Sequence, residues 1–361
     1  MAQFHSLRIK EVRPETQDCV SIAFDVPTDL KDVFQYIQGQ YLTLRQDIKG
    51  EDVRRSYSIC SGPLEVDELR VAVKKVPGGL FSTYANEHLQ TGDALEVMPP
   101  MGRFFTELNP ENQKHYVAFA AGSGITPIMS ILKTVMEIEP NSRFTLFYGN
   151  SKTATIIFRE ELSDLKNRYL GRMVLYHLLS REEQLSDLFN GRLSGEKCER
   201  FCDILFDPED VDEFFLCGPA EMITDVSDTL IERGVDKKKV HFELFTSPGQ
   251  GKQKTQTQQV VGDAGKQIES SVKVILDGDE IEFPLASNGE NILDAALNMG
   301  MDVPYACKGA VCCTCRAKVT EGEVNMVMNY ALEPEEVEAG FVLTCQCHPV
   351  SEKVVIDFDQ Q

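Results

Sequence analysis

Pro304-Tyr305-Ala306-Cys307-Lys308-Gly309-Ala310-Val311-Cys312-Cys313-Thr314-Cys315, answered later by Leu343-Thr344-Cys345, decides how the whole chain is read. Cys307, Cys312 and Cys315 are spaced C-x4-C-x2-C, and Cys345 follows after 29 intervening residues. Four thiolates at that spacing are a known ligand set for a [2Fe-2S] cluster. Three ligands from one loop wrap the irons closely, and the fourth closes the cage from a distant strand. Gly309 is expected to let backbone amides turn toward the sulfurs. A structural zinc site is the alternative, but its cysteines usually repeat as two C-x2-C pairs, and this loop has one. A one-electron carrier needs a donor, so the rest of the chain should supply electrons.

The chain has 361 residues, which at about 100–200 residues per domain predicts two or three domains. Its start, Met-Ala-Gln-Phe-His-Ser, lacks the charged-then-apolar pattern of a signal peptide. Together with eleven cysteines, this predicts a reducing, cytoplasmic setting in which thiols serve metals or redox chemistry. No apolar run approaches the ~18 residues that span a bilayer. The net charge of −21 argues against nucleic acid or an anionic membrane as partner. From Glu269 onward there are seventeen acids and five bases, a net −12, so one quarter of the chain carries over half the excess. That concentration suits a docking face for a basic patch on an electron acceptor.

Working back to the N-terminus, residues 1–108 show short alternating segments: Ser6–Val12, Val20–Val26, Tyr41–Leu44, Leu69–Lys75 and Ala94–Val97. Gly, Pro and charged turns separate them, which predicts a small antiparallel β-barrel. Arg54-Arg55-Ser56-Tyr57-Ser58-Ile59-Cys60, placed on a strand, puts Arg55 and Tyr57 on one face. One can hold a phosphate while the other offers an aromatic body to a ring system. Gly78-Gly79 before Phe81-Ser82-Thr83-Tyr84 reads as a helix start, where free amides bind pyrophosphate. Each motif alone also fits an ordinary edge strand or turn. Together they resemble the flavin domain of the ferredoxin–NADP reductase superfamily, whose R-x-Y-S signature matches Arg55, Tyr57 and Ser58. The resemblance implies Arg55 on the pyrophosphate of FAD, Tyr57 against the isoalloxazine and ribityl, Ser58 near the flavin N5, and Gly79 and Ser82 at the phosphate-binding helix start.

Residues 109–246 switch to alternating strands and helices, the pattern of a parallel, helix-flanked α/β sheet. Strand Tyr116–Ala121 runs into Gly122-Ser123-Gly124-Ile125-Thr126-Pro127 and a helix over Ile128–Glu137. Strands Phe144–Tyr148, Met173–Leu179 and Glu213–Leu216 and helices Ile156–Tyr169 and Glu221–Arg233 follow. A Gly-rich strand-to-helix turn is where a nucleotide pyrophosphate sits, so Gly122, Gly124 and Thr126 are candidates. Phe215-Leu216-Cys217-Gly218-Pro219 ends a strand at a small thiol. In the same superfamily, Cys-Gly-Pro places the cysteine beside the nicotinamide carbon that gives up hydride, which implies roles for Cys217, Gly218 and Pro219; a plain buried cysteine is the alternative. NAD sites often carry an acid after the second strand. Here Gly149-Asn150-Ser151-Lys152 has none, and Ser180-Arg181 resembles the pair that grips the 2′-phosphate in plant-type reductases. The expectation is NADPH, with NADH as the alternative. The closing His241-Phe242-Glu243-Leu244-Phe245 resembles the tail near flavin and nicotinamide, with Glu243 the candidate. The six histidines show no metal-ligand spacing, and no Ser/His/Asp set suggests hydrolysis.

Residues 247–268 are rich in Gly, Gln and Lys without amphipathic period, which predicts a flexible tether of ~25 Å root-mean-square span. Strands Ser271–Leu276 and Glu280–Pro284 and a helix over Asn291–Met299 lead to the cluster loop. From Glu269 to Gln361 this order resembles plant-type ferredoxin, an α+β β-grasp module, and carries the ligands over as Cys307, Cys312, Cys315 and Cys345. Cys313 and Cys347 read as bystanders, and Cys198-x3-Cys202 as buried or incidental. The three modules imply a reductase that passes electrons from NADPH through FAD to a cluster of potential about −400 mV. Phe4-His5-Ser6-Leu7, Arg54 to Cys60, Ala120 to Pro127 and Asn329 to Glu336 resemble most closely the reductase components of bacterial di-iron epoxidases, implying a di-iron oxygenase as acceptor. Reductases of ring-hydroxylating or steroid oxygenases, or of hybrid-cluster proteins, share the modules. A nucleotide-sensing or zinc-stabilised binding protein is the non-enzymatic alternative.

Overall fold

Residues 3–245 and 268–360 are described in the computed structural model; the tether expected over 247–268 lies almost wholly outside them. The chain forms two compact units, Phe4–Phe245 and a C-terminal one that ends at Gln361.

In the first unit, alternation builds a barrel. β1 (His5–Thr16), β2 (Cys19–Asp25), β3 (Tyr41–Ile48), β4 (Glu51–Ser58), β5 (Leu69–Lys74) and β6 (Ala94–Val97) pair in the order β4-β3-β6-β1-β2-β5. Leu7 and Ile9 of β1 turn inward while Ser6, Arg8 and Lys10 face solvent, the period-2 pattern of a half-buried strand. An antiparallel bridge from Ile59 to Val71 ties the end of β4 to β5 and closes the sheet on itself. Lys49 (φ 59°) and Gly50 (φ 83°) form a two-residue hairpin loop between β3 and β4; left-handed backbone at both positions matches the strand twist. Helix α1 (Leu80–Glu87) buries Phe81 and Ala85 against the barrel core.

The second half of this unit is a parallel sheet. β7 (His115–Ala121), α2 (Ile125–Ile138), β8 (Arg143–Asn150), α3 (Arg159–Arg168), β9 (Met173–Leu179), α4 (Gly195–Ile204), β10 (Glu213–Gly218), α5 (Ala220–Glu232) and β11 (Val240–Leu244) follow in turn. The strand order is β11-β10-β7-β8-β9, all parallel. The order reverses between β7 and β10, the switch point outside which such sheets bind ligands. Phe147 fixes one face, stacking on Phe119 at 4.9 Å, Tyr176 at 5.1 Å and Phe201 of α4 at 4.5 Å.

The C-terminal unit has β12 (Glu269–Leu276), β13 (Asp279–Ala286), α6 (Ile292–Asn298), β14 (Arg316–Glu321), β15 (Val324–Met326), α7 (Pro334–Glu338), β16 (Phe341–Leu343), β17 (Cys347–Pro349) and β18 (Lys353–Asp357). Its sheet runs β13-β12-β18-β14-β16, with β12 and β18 parallel. Ile292, Leu293, Ala295 and Ala296 bury one stripe of α6 in the core beneath the cysteine loop. This is the grasp expected from the sequence, with the cysteine loop between α6 and β14.

Candidate active site and cluster loop

At the switch point the glycines work by what they omit. A Cβ on Gly124 would lie 2.0 Å from the Cys217 carbonyl oxygen and 2.8 Å from the Gly218 nitrogen, so only glycine lets the loop after β7 rest on the end of β10. Gly122 turns the chain with φ 55°. The Thr126 hydroxyl donates to the Ser123 carbonyl at 3.0 Å and seals the turn into α2. Pro219 caps α5 without a side-chain acceptor, leaving the first amides of that helix open. Cys217 is wholly buried, and burial pushes its thiol well up, so it stays protonated.

Three of the expected residues meet here. β10 and β11 pair Cys217 with Glu243, and Ser58 Oγ, at the end of β4, donates to Glu243 Oε2 at 2.8 Å. Burial pushes the Glu243 carboxyl up to about 7, while the Ser58 bond pulls it the other way. A hydroxyl, a neutral thiol and a carboxyl that titrates near neutrality therefore stand together near the ends of β4, β10 and β11, the combination that proton handling beside a hydride donor needs.

On β4, Arg55 and Tyr57 share a face, as alternation requires: Arg55 is exposed and Tyr57 half-buried. Arg55 donates to the Arg54 carbonyl at 2.7 Å, and no carboxylate pairs with it among the described residues. The Tyr57 ring lies 5.5 Å from that of Phe81. Gly79 caps α1 without a side-chain acceptor. The Ser82 hydroxyl is turned back on the loop, accepting from the Val76 amide at 3.1 Å and donating to the Gly79 carbonyl at 3.4 Å. A guanidinium with no carboxylate partner among the described residues, an aromatic face and free helix amides fit a flavin pyrophosphate and its ring.

Ser180 and Arg181 follow β9, both exposed, their amides donating to the Asn150 carbonyl at 3.0 Å and the Ser151 carbonyl at 2.8 Å. Glu182, which sequence reasoning passed over, accepts from the Thr153 amide at 2.8 Å and its hydroxyl at 2.7 Å, and these bonds hold its carboxyl below the usual range. The signal was its place directly after Ser180-Arg181.

In the C-terminal unit the four cysteines are free thiols that fall into two neighbouring pairs, Cys307 with Cys312 and Cys315 with Cys345. Among the described residues no three metal-binding side chains converge on a single ion. Four thiols at this spacing would supply the ligands of a [2Fe-2S] cluster. Cys307 Sγ accepts from the Gly309 amide at 3.3 Å. The turning expected of Gly309 is done by its neighbours, Lys308 (φ 50°) and Ala310 (φ 62°); Gly309 contributes its N–H. The Thr344 amide and hydroxyl donate to the Cys315 carbonyl at 3.1 and 3.0 Å, which carries the strand end to the loop. The thiols of Cys313 and Cys347 donate to backbone carbonyls at 3.3 and 3.2 Å.

Comparison with known proteins finds three domain families in this chain. Family models match an oxidoreductase FAD-binding domain over residues 6–106, an oxidoreductase NAD-binding domain over 119–228 and a 2Fe-2S iron-sulfur cluster binding domain over 274–350. The chain is 45% identical to one of the subunits of 1,2-phenylacetyl-CoA epoxidase from Escherichia coli K12, covering 99% of each. It is 34% identical to the ferredoxin reductase component of 3-ketosteroid-9-alpha-monooxygenase of Rhodococcus rhodochrous, covering 98% of this chain and 96% of that one. The fold matches phthalate dioxygenase reductase with a TM-score of 0.59 at 21% identity, over 98% of each chain. FAD, a nicotinamide nucleotide and a [2Fe-2S] cluster are thus the cofactors, and the chain belongs to the family of oxygenase reductase components that join a ferredoxin–NADP reductase-type flavoprotein to a ferredoxin module.

Proposed function

We propose that this reductase takes electrons from NADPH and delivers them to a di-iron oxygenase, phenylacetyl-CoA epoxidase, with segments 1–108, 109–246 and 269–361 as its flavin, nucleotide and cluster modules and 247–268 as the tether. When bound, the flavin accepts hydride and gives up electrons singly, and the cluster relays them one at a time. Around those groups the chain's own residues position and protect. Arg55 balances pyrophosphate charge beside the amides that open at Gly79. Gly122, Gly124 and Thr126 shape the turn that receives the nucleotide pyrophosphate, and Ser180 and Arg181 take the 2′-phosphate. Cys217, with Gly218 and Pro219, forms a dry floor beneath the nicotinamide. Ser58 offers a hydroxyl proton, and Glu243 takes or returns one at Oε2. Cys307, Cys312, Cys315 and Cys345 hold the irons.

The whole-length likeness to that epoxidase component carries the choice of acceptor. The reading places the protein in the cytoplasm, and no helix among the described residues is long and apolar enough to cross a membrane. The test is reconstitution. NADPH oxidation by the purified reductase should couple to oxygenation of phenylacetyl-CoA by the purified epoxidase. A reductase that bleaches with NADPH yet leaves the epoxidase idle while driving a steroid or ring-hydroxylating oxygenase would overturn the choice.

A further inference from the structure

The residue after the fourth cysteine is Gln346, 8% exposed and turned toward the cysteine loop. Its Nε2 lies 3.6 Å from Cys345 Sγ and 3.3 Å from the Lys308 carbonyl oxygen. Two N–H groups on one nitrogen serve both contacts. One donates to the sulfur that arrives on the strand end. The other donates to the backbone of the residue following Cys307, where the left-handed turn at Lys308 sits. One buried side chain thus bonds the distant ligand to the loop bearing the other three.

We propose that Gln346 is a positioning residue that sets the reduction potential of the cluster. Reduction adds negative charge that is shared with the ligand sulfurs, and a hydrogen bond to an ionised acceptor is about twice as strong as one between neutral groups. The Gln346 N–H therefore favours the reduced state over the oxidised one and raises the potential. Backbone amides supply such bonds in this loop whatever the side chains are. Gln346 supplies one that a point substitution removes, from a side chain that is nearly buried. The inference rests on Cys345 being a cluster ligand.

The potential of the purified full-length protein, titrated by the electron paramagnetic resonance of the reduced cluster, tests it. Gln346→Leu keeps the bulk and loses the donor. Its reduction constant should fall about tenfold, a shift of ~59 mV for one electron, and Gln346→Glu, which sets an acceptor in the same place, should fall further. An unchanged potential in a leucine variant with a full cluster overturns the proposal. Should both variants lose the cluster, wild-type protein labelled with 15N at glutamine side-chain amides decides. Electron–nuclear double resonance of its reduced cluster should show a 15N coupling that Gln346→Asn, one methylene too short, weakens; no such coupling overturns the proposal. Cys345→Ser separates the two readings, because an unchanged cluster spectrum in that variant sinks the ligand assignment, whatever Gln346 does.

Discussion

Replacing Glu243 by glutamine should remove a pH dependence from the stability of the Phe4–Phe245 unit. Burial raises the Glu243 carboxyl from 4.5 to about 7. The native chain therefore keeps this proton through a range of pH in which the unfolded chain has released it. Native protein binds more protons there, so stability falls as pH rises from about 4.5 and levels off above about 7. At ~1.36 kcal/mol per unit, ionised Glu243 costs the fold about 3 kcal/mol once pH exceeds 7. Between about pH 5 and pH 8 the wild type should lose about 2–3 kcal/mol relative to Glu243→Gln. Other titrating groups cancel in the difference. Urea titration followed by release of flavin fluorescence reports on this unit alone, since the flavin module lies in it. Glutamine preserves the shape and can still accept from Ser58, so the variant should fold. A constant gap between wild type and variant across that range would refute the argument. A gap of opposite sign would mean that a cation, and not burial, governs the carboxyl.

Arg55→Ala should purify depleted in FAD, read as a lowered ratio of flavin to protein absorbance; full occupancy would contradict the pyrophosphate role. Cys217→Ala should slow flavin reduction by NADPH at least tenfold in stopped flow while NADP+ affinity changes little, because the thiol lines the floor and binds no phosphate. Arg181→Leu should lower kcat/KM for NADPH by one to two orders of magnitude, as expected for a lost charge-assisted pair, and leave NADH nearly unaffected. Equal losses for both nucleotides would move the 2′-phosphate elsewhere.

How legible each element was follows from what the residues must satisfy. β9 matches its expected range of Met173–Leu179, since its long, largely apolar run sits between turn signals. The cysteine spacing is legible because coordination chemistry dictates it. α4 escaped notice because its sequence, GEKCERFCDI, buries only Cys198, Phe201 and Cys202, at i, i+3 and i+4, in an otherwise charged stretch. Two of those three are cysteines, which reads as chemistry before packing. β4 was seen as a motif and not as the whole strand, because Glu51-Asp52 and Arg54-Arg55 mask the alternation that pairing with β3 completes. The Ser58–Glu243 bond spans 185 residues, and no local pattern announces it. Family resemblance had named both residues without bringing them together.

That bond also requires barrel and parallel sheet to hold one arrangement. A 2.8 Å contact between a barrel hydroxyl and a carboxyl on β11 survives only if the seam around it does not slide. The seam is pinned on two sides. Ser130 Oγ of α2 donates to the Ser61 carbonyl at 2.7 Å, with both residues buried. Lys133, one turn on and 13% exposed, reaches Glu65 of the barrel at 3.2 Å and Glu161 of α3 at 2.6 Å. On the other side Glu213 accepts from Thr106 at 3.4 Å and Lys114 at 2.8 Å, while the rings of Phe104 and Phe215 meet edge to face at 5.4 Å. A surface ion pair would contribute under about 1 kcal/mol. Lys133 is nearly buried, but Glu65 and Glu161 stay 38% and 34% exposed, so the solvent screens both acids and losing Lys133 would cost only about 1 kcal/mol. The placing of Ser58 against Glu243 therefore comes from the seam and belongs to neither module alone.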